Sequence, residues 1–193
     1  MAFTDYETQQ IREALLAQAR HCAVTLGVRK TSVDQLTKAV GISKGSFYKF
    51  YESKELLFVA VLESIHAELY EVADCSLKKN AGLSPVERAT AAILAVCRRM
   101  SDTGVMTFIE NDVAALLKWL PEKVKAEHYH DDETHIRALL EANALTPKGG
   151  AELATATVRG LILTISHKEQ IGPLCPQVLH LLVHGACTEL FSE

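Results

Sequence analysis

The chain has 193 residues, 48% of them apolar, and a formal net charge of −4. That is room for one domain, or for a small head on a larger body, with ample material for a core. No apolar run is long and unbroken enough to span a membrane, and the opening MAFTDYETQQ lacks the basic and apolar regions of a signal peptide, so the expectation is a cytoplasmic protein. Cys22, Cys75, Cys97, Cys175 and Cys187 are odd in number and widely spaced, with no C-x-x-C, which argues against a disulfide framework or a zinc site of cysteines alone. They read as small apolar core residues of a reducing compartment.

In chain order, nearly every segment has helical periodicity and none shows bounded strand-like alternation. Thr4-x-x-Glu7 has the form of a capping box and opens a first helix through Ile11, Leu15, Ala19, Cys22 and Leu26, which Gly27 ends. Thr31 or Ser32 caps a short second helix whose inner face is Val33, Leu36 and Val40, and Gly41 stops it. Ser43 caps a third, from Lys44 to about Tyr51. A long fourth helix starts at Ser53, carries an apolar stripe from Leu56 to Val72 and fades at Lys78-Lys79-Asn80. Ser84-Pro85-Val86-Glu87 starts a fifth, to about Met100. Gly104 and Pro121 break the next stretch into shorter helices. His128 to Asp132 reads as a polar turn, with Asp132 capping a helix through Leu145, before a loop at Pro147, Gly149 and Gly150. Two unusually apolar helices close the chain, about 151–168 and 176–191, separated by Gly172-Pro173. The fold class is therefore all-α: a three-helix head (residues 1–52) joined by a long helix to a C-terminal helical bundle (residues 53–193).

Charge is unevenly shared. Residues 1–54 hold eight Lys/Arg against five Asp/Glu, a net +3, and the remainder carries −7. A basic head on an acidic body fits a head that faces phosphates. Residues 31–55, TSVDQLTKAVGISKGSFYKFYESKE, read as helix, tight turn at Gly41, short helix, turn and long helix, which is a helix-turn-helix arrangement. Phe47 and Tyr51 lie four apart and face inward. The third helix combines small donors at Ser43 and Ser46, a side-chain-free Gly45, charge at Lys44 and Lys49 and a flat ring at Tyr48, a set suited to the major groove. A surface helix on a generic α-bundle is the competing reading of the spacing.

The stretch Gly41-Ile42-Ser43-Lys44-Gly45-Ser46-Phe47-Tyr48, followed by Ser53-Lys54-Glu55, resembles the signature of the TetR family of transcriptional regulators. The likeness covers about residues 11–60. It implies that Thr31, Ser32, Ser43, Lys44, Gly45, Ser46, Tyr48 and Lys49 meet DNA and that Lys54 faces the phosphate backbone. It also implies a homodimer on the last two helices, an inverted-repeat operator in double-stranded DNA and a small-molecule effector. Lys49, Phe50, Tyr51 and Glu52 depart from the residues common there, and the loop Val28-Arg29-Lys30 is more basic than usual, so the base preference does not carry over.

In the body, Met100, Met106, Phe108, Trp119 and Tyr129 are candidates to line a largely apolar ligand pocket, with plain core packing the alternative for each, and Arg159 and His167 are candidate pocket anchors whose alternative is to face solvent or a partner subunit. His128, His130, His135 and the adjacent carboxylates are metal-ligand types, but they match no closed zinc pattern and suit a capping turn, so no metal and no cofactor are assigned. No enzyme signature is found, and Ser166-His167 adjacency is not catalytic because neighbours diverge on a helix. The leading expectation is a repressor released from its operator by its ligand. The rivals are an activator of the same build and an α-helical enzyme or metal-binding protein whose head is only structural.

Overall fold

The computed structural model describes the backbone of residues 3–120, 122–165 and 168–191, and the side chains of these except 123–132, 164, 165, 168 and 169. All regular structure among the described residues is helical: α1 (Asp5–Thr25), α2 (Val33–Val40), α3 (Lys44–Phe47), α4 (Lys54–Lys79), α5 (Pro85–Thr103), α6 (Val105–Phe108), a π-helical turn (Ile109–Val113), α7 (Ala114–Trp119), α8 (Glu122–Ala142), α9 (Gly150–Ile165), α10 (Lys168–Ile171), a 3-10 turn (Gly172–Leu174) and α11 (Cys175–Phe191). None of the described helices is long and apolar enough to cross a membrane.

The chain forms two compact units. One comprises Met1–Ile65 and Gly104–Pro121, the other His66–Thr103 and Glu122–Glu193. In the first, α1 buries Leu15, Ala19, Cys22 and Ala23, the i, i+4, i+7, i+8 stripe of a helix with one wet face. It packs against α2 and α6. Leu36, Phe47, Leu57, Phe58, Val61, Leu62, Ile65 and Phe108 complete this core, with the Phe58 and Phe108 ring centroids 6.3 Å apart. In the second unit α11 packs on α5 and α9, and α8 on α9. Its apolar clusters centre on Ala89, Leu161, Val183 and Cys187 and on Leu77, Ala92 and Leu145, and Phe191 packs against both.

Several helix signals act where the sequence places them. Thr4 and Glu7 close a reciprocal capping box, and so do Ser84 and Glu87. Gly41 takes the left-handed conformation (φ 79°) that ends α2. Two expectations need correction. The backbone is helical without interruption from Glu122 to Ala142, so there is no turn at 128–132 and no helix starts at Asp132. That span has neither Gly nor Pro, and a polar composition by itself does not break a helix. The side chains of His128, Tyr129 and His130 lie outside the described residues, and with them the metal-ligand reading of that segment. The third helix is also shorter than expected: regular α-helix ends at Phe47, and Lys49 and Phe50 donate to Ser46 and Phe47, three residues back. Tightening of this kind is how a short helix satisfies its last carbonyls.

Candidate nucleic-acid interface

The head is assembled by local hydrogen bonds. Ser32 caps α2, its Oγ accepting the Gln35 N–H at 3.2 Å while Gln35 Oε1 accepts the Ser32 N–H at 2.7 Å. This is a capping box closed by Gln, a partner that the spacing Ser-x-x-Gln carries but that the sequence expectations leave out. After the left-handed Gly41, Ile42 donates back to Thr37 at 3.0 Å, and Ser43 starts α3 by accepting the Ser46 N–H at 3.1 Å. Phe47 is fully buried and anchors α3, its ring edge-on to Tyr48 at 5.4 Å. Burial of such a ring contributes about 1.5–3 kcal/mol. Tyr51 is half-buried, and that burial pushes its hydroxyl above its ordinary pKa, with Arg12 opposing.

One surface results. Ser43, Lys44, Gly45, Tyr48 and Lys49 are exposed, and Ser46 is half-buried with its hydroxyl 2.9 Å from that of Ser43. Lys44 pairs with Asp34 at 3.3 Å on the surface, a contact worth little that a phosphate can displace. Lys49 lies over the Phe3 ring, 5.8 Å from its centroid. An open groove beside α3 is lined in part by Arg29, Lys30, Ser32 and Tyr48. The exposed Arg29 and Lys30 thus join the same surface as α3. Their basic character is plain in the sequence, whereas their place beside Tyr48 is not.

Thr31 and Lys54 line the same groove and also make hydrogen bonds within the head. Thr31 is buried and its hydroxyl donates to the Gly27 carbonyl at 2.8 Å, so its side chain is not presented outward. Lys54 donates to the carbonyls of Val28 at 2.9 Å and of Thr31 at 2.8 Å. An ammonium has three donors, so a phosphate contact has to use the third. The charge of Lys54 is legible in the sequence; these partners, more than twenty residues away, are not.

Of the proposed pocket residues, Phe108 and Trp119 belong to the first unit and Met100 to the second. Phe108 is fully buried against Phe58, and Trp119 is 82% exposed, so these two do not line one cavity of the first unit. Met100 is buried. The Tyr129 side chain and all of His167 lie outside the described residues. Among the described residues no group of three or more His, Cys, Asp or Glu is placed to hold a metal.

Residues 15–61 match the family model described as bacterial regulatory proteins, tetR family. The nucleoid occlusion factor SlmA of Haemophilus ducreyi is 31% identical over 71 residues, covering 37% of this chain and 34% of that protein. The SlmA of Actinobacillus pleuropneumoniae is 30% identical over 74 residues, covering 38% and 37%. The chain therefore spans only about a third of the length of these relatives. Solved structures resemble it over nearly their whole length. A transcriptional regulator from Streptomyces coelicolor A3(2) has a TM-score of 0.72 at 17% identity, covering 95% of this chain and 99% of that one. A TetR-family regulator from Pectobacterium atrosepticum has a TM-score of 0.66 at 20% identity, covering 95% and 93%. The head, residues 15–61, thus matches the model of the tetR family of bacterial regulatory proteins, and the chain shares the all-α fold of these solved regulators.

Proposed function

We propose that this chain is a cytoplasmic transcriptional repressor that reads an inverted-repeat operator as a homodimer and leaves it when a small, largely apolar ligand binds. The observation that carries the reading is Gly45. It sits within α3, does not need the left-handed conformation, and a Cβ placed there would meet nothing nearer than Ser43 Oγ at 3.9 Å. Glycine inside a helix costs about 0.5–1 kcal/mol relative to alanine. The head's own packing does not require that cost. Close approach of the backbone to something outside the chain does, and the flanking Ser43, Lys44, Tyr48 and Lys49 suit the major groove.

The same reasoning supports the dimer. Gly160 in α9 and Gly185 in α11 are helix-interior glycines around which a Cβ would meet nothing within 4 Å. They share these helices with Leu163 and Leu181, which are 63% and 74% exposed. Small residues beside uncovered aliphatic ones suit close packing of a second copy. The apolar-ligand reading rests on the aliphatic character of the second unit, and a population shift is its mechanism. One of the three chain crossings between the units falls within α4, which makes that helix a covalent path between ligand and head.

Selection of bound duplexes from a random DNA pool tests the function: an enriched inverted repeat supports it, and no enrichment at low salt refutes it. Gly45→Ala tests the interface. The variant should be as stable as wild type or more so, yet bind the selected duplex at least about tenfold more weakly. Unchanged affinity would remove α3 as the reader.

A further inference from the structure

Asp112 is a carboxylate placed among core side chains. It is 6% exposed, in a continuous helical run from Val105 to Trp119 whose Val105, Met106, Phe108 and Leu116 are buried. Burying an ionised carboxylate is costly unless hydrogen bonds compensate. Here one carboxylate oxygen accepts the backbone N–H of Val28 at 3.1 Å, across 84 residues of sequence. Gly27 admits that approach, since a Cβ there would stand 3.0 Å from the same oxygen. The Val28 carbonyl is in turn held by Lys54. The loop between α1 and α2 is thus gripped from two sides, by α4 and by the 105–119 helix, both within the first unit.

The backbone at Asp112 is itself unusual. Ile109–Val113 form a π-helical turn, one residue wider than the α-helix on either side. Such a bulge shifts the register of the next helical turns and is frequent at functional sites. It sits at the residue whose carboxylate reaches the loop. Four residues after Val28, Ser32 begins the α2–turn–α3 unit that presents the reading surface.

We propose that Asp112 is a positioning residue for DNA reading: through Val28 it sets the loop that orients α2 and α3, and breaking this contact lowers DNA affinity in a protein that stays folded. The proposal rests on the DNA-binding reading above. It assigns the π-helical turn a task, that of coupling the 105–119 helix to the reader.

The test uses the full chain and the duplex enriched from the random pool. Asp112→Leu removes the acceptor and keeps the volume, Asp112→Asn keeps an acceptor oxygen, and Asp112→Ser lets water take the carboxylate's place. Affinity is measured well below the melting temperature of each variant, and Val28 amide exchange is monitored by NMR. The expected result is faster Val28 exchange and at least about fivefold weaker binding for the Leu and Ser variants, with Asn close to wild type. A merely structural role would lower the melting temperature of the Leu or Ser variant while leaving the affinity of the folded protein within twofold, and that result overturns the proposal. If the Leu variant does not fold, the Ser and Asn pair decides in the same way. Wild-type protein that binds no duplex would refute the DNA-binding reading itself. Wild-type binding with indifferent variants would refute only the role of Asp112.

Discussion

Lys54→Met removes an ammonium from the head and keeps most of its aliphatic stem. The structure places that ammonium on the carbonyls of Val28 and Thr31, at 2.9 and 2.8 Å, and both residues are buried. Hydrogen bonds from a charged donor contribute about 1.5–3 kcal/mol each when buried. Lys54 is only half-buried, so water can reach the vacated position and recover part of this. The expected loss is therefore about 2–3 kcal/mol of unfolding free energy. Urea denaturation of wild type and variant reads it directly as a lower midpoint at unchanged slope. DNA titration across a salt series reads the separate phosphate contribution. A phosphate contact made by the third donor would be seen as a salt slope shallower by about 0.9. A stability loss with unchanged slope would mean that Lys54 serves only the loop. A variant within about 0.5 kcal/mol of wild type would refute the reasoning, because exposed substitutions without structural partners fall in that range.

If the chain assembles as proposed, Leu181→Arg should leave it monomeric at micromolar concentration without loss of helix signal, because the side chain is 74% exposed within one chain; a dimer by sedimentation would remove α11 from the interface. Leu182, 40% exposed, is partly enclosed by its own chain, so arginine there perturbs the fold as well as assembly. Among the cysteines, Cys75 is exposed and should react first with a thiol reagent at pH 8, whereas Cys97, which burial pushes up to about 11, should react only in denaturant; equal rates would contradict the packing. Acid should weaken the fold through its hydrogen-bonded carboxylates. The Thr4 backbone N–H and hydroxyl hold Glu7 below its ordinary pKa, the Ser84 hydroxyl and backbone N–H do the same for Glu87, and Lys78 and Asn143 for Asp74. Each contribution is present above the ordinary carboxylate pKa and is lost as pH falls through the depressed value. The melting temperature of Glu87→Gln should accordingly fall less than that of wild type between pH 7 and pH 3, an effect reduced by salt because Glu87 is exposed; identical slopes would count against the cap.

Much of the local structure is settled by a few neighbouring residues and is legible without coordinates. Thr4 with Glu7, Ser84 with Glu87, Gly41 at the end of α2 and Ser43 at the start of α3 act across three or four residues, and their hydrogen bonds form where the composition places them. The exposed face of α3 is less legible: Lys44 and Phe47, three apart, are neighbours by helical spacing, yet Phe47 is buried while Lys44, Tyr48 and Lys49 are exposed. Packing settles the rest. That Thr31 is buried and that Lys54 is engaged by carbonyls of the preceding loop cannot be read from their type and place. The uninterrupted α8 overrides a composition that resembles a turn, because residues 122–142 contain no helix breaker. Nothing local marks the π-helical turn, and nothing in the sequence joins Asp112 to Val28 or assigns residues 104–121 to the same compact unit as the head. Local hydrogen-bond partners are fixed by spacing along the chain, whereas a contact across 84 residues exists only once the intervening helices have packed.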